Sequence, residues 1–557
     1  MVDLELPIGK RSKKYRFFEM VPAIISYGAI IVLIALSVID PSLAAIYLMV
    51  VIITLLVKAV GIAYHTIRGH SRLVASQAVD WHARLTDLEH PVQSYRRLER
   101  TGVTGYGAVE HLNNLRLMAD SVTRFPRPSQ IYHAVIVAAY NEAYDVIQPT
   151  IESIKVTTTD NDRIILFFAY EERGGVDIEQ TVKRLQSEYS GVFFDFQIVQ
   201  HPKDLPDEVI GKGPNITYAG HRLYEYCRKK KLDVANVIVT TLDCDNKPHA
   251  KYFDSAAYEF IVHENRQRLS YQPIALYFGN IWDAPAPMRV IATGNSFWTI
   301  ISSMRPHTLR NFAAHSQPLE ALVGMGFWST RSIVEDGHQY WRSYFYFGGD
   351  YDLVPIHIPI YQDAVMADTL KKTFVTQFKQ LRRWAYGASD VPYVGVRVFN
   401  AKRNVPFAEG FARFVRLLDG HVTLAAISVL VAFGGWVPLL VNPQASHSIA
   451  AHQLPEVVSF IQRIAMVGIF VTILLMLKML PPRPERYRRR RTVLMILQWI
   501  LMPITSICFN SAASYNAQTR LALGKYLDKF DVTEKATLQS QAAAKASKLS
   551  REDKKSQ

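Results

Sequence analysis

Two aspartates, one residue apart, close a run of apolar and β-branched residues at positions 237–245. The run reads Val-Ile-Val-Thr-Thr-Leu-Asp-Cys-Asp, a pattern typical of a buried strand that ends in a polar turn. There Asp243 and Asp245 could present oxygens to one divalent cation, a hard ion that also bridges to substrate phosphates. In an extended segment Cys244 should point away from that metal. The alternative is an ordinary strand-to-turn junction, where aspartates are common.

A second acidic pair, Glu335 and Asp336, follows another apolar run and precedes a helical pattern. One of these carboxylates could act as the general base that deprotonates an acceptor hydroxyl. Asp336 could equally cap the helix, with Glu335 adding charge to the first turn. The spacing alone does not decide between these interpretations.

Gln380, Arg383 and Trp384 share one face of a predicted helix, since they are three and four residues apart. An amide, a guanidinium and an indole suit a sugar-phosphate site, because arginine binds phosphate bidentately. An amphipathic helix at a membrane surface would explain the same residues. Lys212 lies between two glycines just before a helix, where an anion would be favoured. The P-loop spacing is absent there, and a simple turn and cap is the alternative.

The elements that must position these residues begin near residue 131. The sequence predicts strands at residues 133–138, 164–169, 192–199 and 237–245, and helices at 142–156, 177–189 and 213–231. This alternation predicts an α/β domain with a mainly parallel sheet, in which ligands bind beyond the carboxyl ends of the strands. Residues 140–142, 170–172 and the Asp243/Asp245 pair all fall at such ends.

Apolar runs flank this domain on both sides. Residues 21–39 and 43–64 predict a membrane-spanning hairpin, and residues 422–441 and 464–480 predict two further spans. Basic clusters at 10–16 and 483–491 place the central domain in the cytoplasm. Residues 493–511 are apolar but broken by Pro503, so they either span or re-enter. We favour re-entry or an interfacial position, because a span would put the basic tail outside.

These patterns divide the chain into six parts. They are a basic N-terminal segment (1–19), a transmembrane hairpin (20–65), a helical linker (66–130), the α/β domain (131–415), a C-terminal membrane region (416–515) and a basic tail (516–557). The 557 residues are 49% hydrophobic and 20% charged, as expected when soluble and membrane parts share one chain. The net charge of +14 clusters beside apolar runs, which favours contact with a lipid bilayer over nucleic acid. The three cysteines form no CxxC pair.

Together these motifs resemble the inverting, membrane-integrated glycosyltransferases of family 2, the group that includes cellulose, chitin and hyaluronan synthases. The resemblance covers roughly residues 130–390. Residues 135–142 resemble the first strand and nucleotide loop, and Lys212 the lysine near the diphosphate. Residues 243–245 resemble the metal-binding DxD, 335–336 the ED pair and 380–384 the QxxRW motif.

The resemblance implies a GT-A fold (Rossmann-like, mainly parallel), a nucleotide-diphosphate sugar donor, expected to be UDP-linked, and Mg²⁺ or Mn²⁺. It makes Asp336 the base beside Glu335. The residues it implies are Ala139, Tyr140, Glu142, Glu171, Lys212, Asp243, Gln380 and Arg383 for the donor, Asp243 and Asp245 for the metal, and Trp384, Gly294 and Asn295 for the acceptor. Gly294 and Asn295 are predicted to lie in an acceptor-side loop at 292–297. Glu171 stands where the family usually has an aspartate that contacts the base.

We therefore predict a metal-dependent inverting transferase of the plasma membrane, with a cytoplasmic catalytic domain, that extends a polysaccharide. A single transfer to a lipid or polyprenyl-phosphate acceptor is the close alternative, because the predicted spans are few for a polymer channel. A catalytically silent membrane scaffold is the alternative of another class. A transporter is disfavoured, since the charges in the apolar runs lie near their ends. The sequence identifies no export or assembly subunit.

Overall fold

The computed structural model of the chain describes residues 4–121, 123–443, 445 and 449–528. Its strands are β1 (Tyr132–Ala139), β2 (Ile164–Glu171), β3 (Asp195–His201), β4 (Val237–Asp243), β5 (Lys247–Pro248), β6 (Leu269–Leu276), β7 (Ser316–Pro318) and β8 (Asp352–Tyr361). Its helices are α1 (Lys13–Ile39), α2 (Pro41–Ala78), α3 (Trp81–Glu89), α4 (Pro91–Thr101), α5 (Ala108–Asp120), α6 (Tyr144–Lys155), α7 (Val176–Glu188), α8 (Lys212–Lys229), α9 (Tyr252–Val262), α10 (Ala286–Ser303), α11 (Leu319–Met325), α12 (Glu335–Tyr346), α13 (Leu370–Ala385), α14 (Asp390–Val398), α15 (Phe407–Phe433), α16 (Val437–Val441), α17 (Ile449–Met479), α18 (Arg490–Leu497), α19 (Met502–Thr505) and α20 (Ala512–Ala522).

The strands form one mixed sheet in the order β3-β2-β1-β4-β7-β6-β8-β5. β3, β2, β1 and β4 are parallel, β7 is antiparallel to β4 and β6, and β6 and β8 are again parallel. Alternate residues of β1 face two cores: Val135 and Val137 pack on one side, Ala134 and Ile136 on the other. Such strands read as continuous apolar runs because helices cover both faces of the sheet. The predicted α/β class with a mainly parallel sheet is confirmed.

Two local predictions are wrong. β3 begins at Asp195, three residues later than predicted. Residues 292–297 are not a loop but the middle of α10. Apolar residues of α10 recur at helical spacing, among them Met288, Ile291 and Ile300, and they are buried. That burial stabilises the helix despite its internal glycine, which faces outward and costs only about 1 kcal/mol.

Four helical stretches of the described residues are long and apolar enough to cross a membrane. They are Lys13–Ile39, Pro41–Ala78, Phe407–Val441 and Arg490–Ala522. The predicted span at 464–480 falls in α17, whose side chains are described only in part. α2 continues to Ala78, so the predicted boundary at residue 65 lies inside a helix.

Charged and polar contacts tie these helices to one another and to the α/β domain. Lys58 of α2 forms an ion pair with Asp419 of α15 at 3.0 Å. A lysine without such a partner would extend its side chain towards the lipid headgroups. Both ends of the 490–522 stretch contact the α/β domain. Arg491 donates to the Trp282 carbonyl at 2.7 Å. At the other end Ala517 and Leu521 pack in one apolar cluster with Tyr386.

Candidate active site

Three strand ends meet at one edge of the sheet. Ala138 pairs in register with Asp243, and Ala139 with Tyr170. The buried Asn215 side chain at the start of α8 donates to the carbonyls of Ala139 (3.4 Å) and Ala169 (3.2 Å). These hydrogen bonds hold α8 against the ends of β1 and β2. Lys212, the first residue of α8, is thereby placed next to Asp243 at the end of β4.

The loop after β1 and the end of β2 are closely fitted. Glu142 accepts a hydrogen bond from the Tyr140 amide at 2.7 Å. A Cβ on Gly174 would lie 1.8 Å from the Tyr140 carbonyl oxygen, so only glycine allows this approach. Glu171 is buried and pairs with Arg173 at 3.3 Å. Burial raises the pKa of Glu171, and Arg173 opposes that rise.

Lys212 is the hub of the site. Its Nζ lies 2.8 Å from Asp243 Oδ1, 3.2 Å from Asp336 Oδ2 and 3.9 Å from Glu335 Oε1. The lysine side chain is only 8% exposed. Burial alone would lower its pKa, but the three carboxylates outweigh that effect and raise it. The fold therefore brings Asp243, the Glu335–Asp336 pair and Lys212 together within ion-pair distance.

Glu335 and Asp336 occupy the first turn of α12. The N-cap residue is Val334, and no side chain caps this helix, so the capping interpretation of Asp336 is wrong. Burial, and then the charge of Asp336, raises the pKa of Glu335 to about 8, although Lys212 and Arg383 oppose the shift. Near neutral pH Glu335 therefore keeps its proton.

His315, which sequence reasoning missed, lies behind Asp336. Its Nδ1 donates to the Phe312 carbonyl at 3.0 Å, and its Nε2 accepts from the Trp328 indole at 3.2 Å. These partners require the neutral tautomer, and burial lowers the pKa of His315 against the opposing charge of Asp336. Nδ1 is 3.6 Å from Asp336 Oδ1. A lone histidine before a short strand gave no signal of this contact.

The QxxRW residues lie on α13. Arg383 is half-buried and close enough to Glu335 to oppose the rise in the pKa of that carboxyl. Gln380 is half-buried and accepts from the Gln377 amide at 3.1 Å. Trp384 is 37% exposed, and its ring centroid lies 6.0 Å from that of Tyr277. Helix α13 therefore places the Arg383 guanidinium near the acidic pair and the Trp384 indole next to Tyr277.

Tyr277 was also missed, and it connects the predicted acceptor residues to this site. It follows β6 directly, and its amide donates to Ser296 of α10 at 2.9 Å. Gly294 is exposed with open space where a Cβ would be, and Asn295 is half-buried. The structure thus places the predicted acceptor residues on a helix that borders the Tyr277–Trp384 pair.

The donor set at the end of β4 suits a hard cation. Asp243 is about a third exposed, whereas Asp245 is buried. No group of three or more His, Cys, Asp or Glu side chains suited to a metal occurs in the described part of the chain. Mg²⁺-type sites commonly use one or two carboxylates and complete their shell with water and substrate phosphates. Asp243 and Asp245 fit that requirement as a pair.

The buried acid gives a pH prediction for stability. The folded pKa of Glu335, about 8, exceeds its ordinary value of 4.5, so the folded state holds a proton that the unfolded state has released. Stability should therefore fall as pH rises through this window. Glu335→Gln should reduce the fall in unfolding temperature with rising pH. The control is Glu264→Gln, which changes an exposed glutamate paired with Arg124 and should leave that fall unchanged. An unchanged slope in Glu335→Gln would contradict the assignment.

No family model matches this sequence, and no curated protein matches it. Among solved structures, the chain is similar to a mannosyltransferase from Pyrobaculum calidifontis in complex with GDP-Man and Mn²⁺, at 14% identity and a TM-score of 0.38, over 82% of this chain and 100% of that one. It is also similar to S. aureus TarS 1-349 in complex with UDP-GlcNAc, at 11% identity and a TM-score of 0.32, over 72% and 95%. Against the longer S. aureus TarS chain it covers 55% of the length, at 10% identity. At these scores the function has to be inferred from the site itself.

Proposed function

We propose that the protein is a membrane-bound, inverting glycosyltransferase of the GT-A type that uses a nucleotide-diphosphate sugar. The observation that carries the proposal is the contact of Lys212 with Asp243, Glu335 and Asp336 at the carboxyl edge of the sheet. Carboxylates of two motifs far apart in sequence converge there on the lysine of a third. A purely structural strand end would not require a buried lysine among three carboxylates, since burying charges is costly.

In the proposed reaction, Asp336 accepts the proton of an acceptor hydroxyl whose oxygen attacks the anomeric carbon of the donor sugar. The bond from that carbon to the diphosphate oxygen breaks as the new glycosidic bond forms, which inverts the configuration. Lys212 and Arg383 offer positive charge to the diphosphate, arginine in a bidentate fork. A divalent ion held by Asp243 and Asp245 would stabilise the negative charge of the leaving group.

Each flank of the site has a proposed role. The end of β1 (Ala139), the loop after it (Tyr140, Glu142) and Glu171 border the edge where a nucleotide would lie, as in other parallel sheets. Trp384 and Tyr277, whose ring centroids lie 6.0 Å apart, offer aromatic faces that suit a sugar ring of the acceptor. Helix α13 packs against the apolar 490–522 stretch, where Phe374 contacts Phe509 at 6.0 Å between ring centroids. The acceptor would therefore be bound next to the membrane.

We propose that the chain is a plasma-membrane protein. Its α/β domain would face the cytoplasm, as the basic clusters beside the apolar runs indicate. Because both ends of the 490–522 stretch contact this domain, we propose that the stretch re-enters or lies at the interface. The acceptor is proposed to be a growing polysaccharide. A lipid or polyprenyl-phosphate acceptor is the alternative that the nearby membrane helices favour.

The test is release of nucleoside diphosphate by the purified protein in lipid. A panel of UDP- and GDP-sugars would be supplied with Mg²⁺ or Mn²⁺. We expect release from one donor, and the size of its product then separates a polymer from a single transfer. No release from any donor, together with no nucleotide binding, would favour a silent scaffold.

The metal assignment gives a separate prediction. Asp243→Asn/Asp245→Asn should abolish the part of nucleotide binding that depends on Mn²⁺, because two of the ion's oxygen ligands lose their charge. Binding would be measured by calorimetry with and without the ion. Asp233→Asn, which removes a carboxylate from the exposed turn before β4, is the control and should bind as the wild type does. Metal-dependent binding that survives in the double variant would overturn the assignment.

A further inference from the structure

A cluster of positive charge lies where three elements leave or enter the apolar region. We define this basic cluster as His65 of α2, Arg305, His307 and Arg310 of the turn after α10, and Arg416 of α15. α2 and the end of α10 are in close contact: a Cβ on Gly69 would lie 2.5 Å from Ile300 Cγ2 and 3.1 Å from Met304 Cγ. His65 lies about one turn before Gly69, next to this contact.

The α15 side of the cluster is joined through Tyr340 of α12. The Arg310 guanidinium lies 4.1 Å from the Tyr340 ring centroid, and Arg413 donates to the Tyr340 hydroxyl. Arg416 follows Arg413 by three residues, so it lies on the same side of α15. The turn after α10 and the start of α15 thus lie on either side of one aromatic ring.

The cluster lacks matching carboxylates. Within the described residues, Arg305, His307, Arg310 and Arg416 form no ion pair, whereas Arg413 pairs with Glu409 at 2.8 Å. The neighbouring acids are engaged elsewhere, Asp419 with Lys58 and Asp390 with His338. His65 Nδ1 is buried without a hydrogen-bond partner.

The charges also act on one another. Burial lowers the pKa of His307, and Arg416, Arg305, Arg310 and His65 lower it further. Burial likewise lowers the pKa of Arg310, and Arg413 and Arg416 add to the shift, although Tyr340 and Asp390 oppose it. Groups that crowd like charges together without counterions are stabilised when an anion binds between them.

The position along the helices indicates which anion. The apolar run of α2 ends at Tyr64, immediately before His65, and Arg416 lies six residues before the apolar run that begins at residue 422 of α15. The Lys58–Asp419 pair lies farther into both helices. The basic cluster is therefore at headgroup level on the side of the α/β domain, where basic residues meet anionic lipid.

We propose that the basic cluster binds the phosphate of an anionic phospholipid. This goes beyond the proposed transferase function and rests only on α2 and α15 lying in a bilayer. It can therefore fail or hold independently of catalysis, and the same lipid preference is expected in Asp336→Asn, whose sugar transfer should be strongly lowered.

The experiment measures lipid retention by native mass spectrometry of the full chain in detergent, with phosphatidylglycerol and phosphatidylcholine as probes. We expect preferential retention of phosphatidylglycerol. Arg305→Gln/Arg416→Gln should weaken it about tenfold to thirtyfold, given the usual contribution of each basic residue near an anionic surface. Arg305→Lys/Arg416→Lys should keep most of the preference and shows that the site tolerates substitution.

Arg488→Gln/Arg489→Gln is the matched control. It removes two exposed arginines from another juxtamembrane loop, and the preference should survive. Equal retention of the two lipids by the parent, or an unchanged preference in Arg305→Gln/Arg416→Gln, would overturn the proposal. Glycerol phosphate that binds the cluster as tightly as the lipid would also overturn it and assign a soluble anion instead.

Discussion

Replacing Asp336 with asparagine should lower sugar transfer by about 10²–10⁴-fold, the usual contribution of a positioned general base. The side chain keeps its shape but can no longer accept the acceptor proton. Donor binding should remain, since Lys212 still pairs with Asp243 at 2.8 Å. The measurement is turnover with the preferred donor, alongside nucleotide affinity in the same preparation.

The control for this variant is Asp177→Asn. Asp177 also lies in the first turn of a helix, α7, but it is exposed and is not one of the carboxylates that pair with Lys212. This control removes a similar interaction with a helix N-terminus and should leave turnover unchanged. Turnover of Asp336→Asn at the wild-type level would show that Asp336 serves the helix and not the reaction.

Lys212→Met should destabilise the fold by about 3 kcal/mol, the lower end for a buried ion pair that loses one partner. Asp243 and Asp336 would face each other without a cation. The loss is limited because Glu335 can hold a proton and Asp243 remains about a third exposed. Thermal unfolding in one detergent would report the change.

Two further variants give this prediction its controls. Lys251→Met removes a lysine whose partners are neutral carbonyls, those of Gln77 and Val79, and it should cost less. Lys212→Met/Asp336→Asn should be more stable than the sum of the single changes, because one repelling charge is gone. Equal losses for Lys212→Met and Lys251→Met would contradict a charge-neutralising role for Lys212.

The first half of the sheet could be predicted because its strands carry their own signal. β1, β2 and β4 are continuous apolar runs followed by polar turns, and they lie within one or two residues of the predicted bounds. The second half gave weaker signals. β7 has only three residues and β5 two, and strands that short are held by their neighbours rather than by a pattern of their own.

The site was predicted as separate motifs but not as one assembly. Residue types and spacing indicated Lys212, Asp243 and Asp336, each with a structural alternative, yet the ion pairs join residues up to 124 positions apart. Only the chain path through β4 and α12 brings them together. His315 and Tyr277 could not be predicted, because their roles come from tertiary contacts with Asp336 and Trp384.

The wrong prediction of an acceptor-side loop at 292–297 shows a second limit of prediction from sequence. The Thr-Gly-Asn segment around Gly294 has the composition of a turn, but burial of its apolar neighbours holds it in α10. Tertiary packing thus outweighed the local preference of glycine. The same packing places Ser296 against Tyr277, so the segment borders the site even though it is not a loop.

The most direct test of the central claim is transfer of a labelled sugar from the preferred nucleotide donor to product by the full chain in lipid. Wild-type protein and Asp243→Asn/Asp245→Asn would be compared in the presence of Mn²⁺. The proposed function predicts labelled product from the wild type and none from the variant. Donor binding without any transfer of label, or equal labelling by both proteins, would contradict a glycosyltransferase built on these carboxylates.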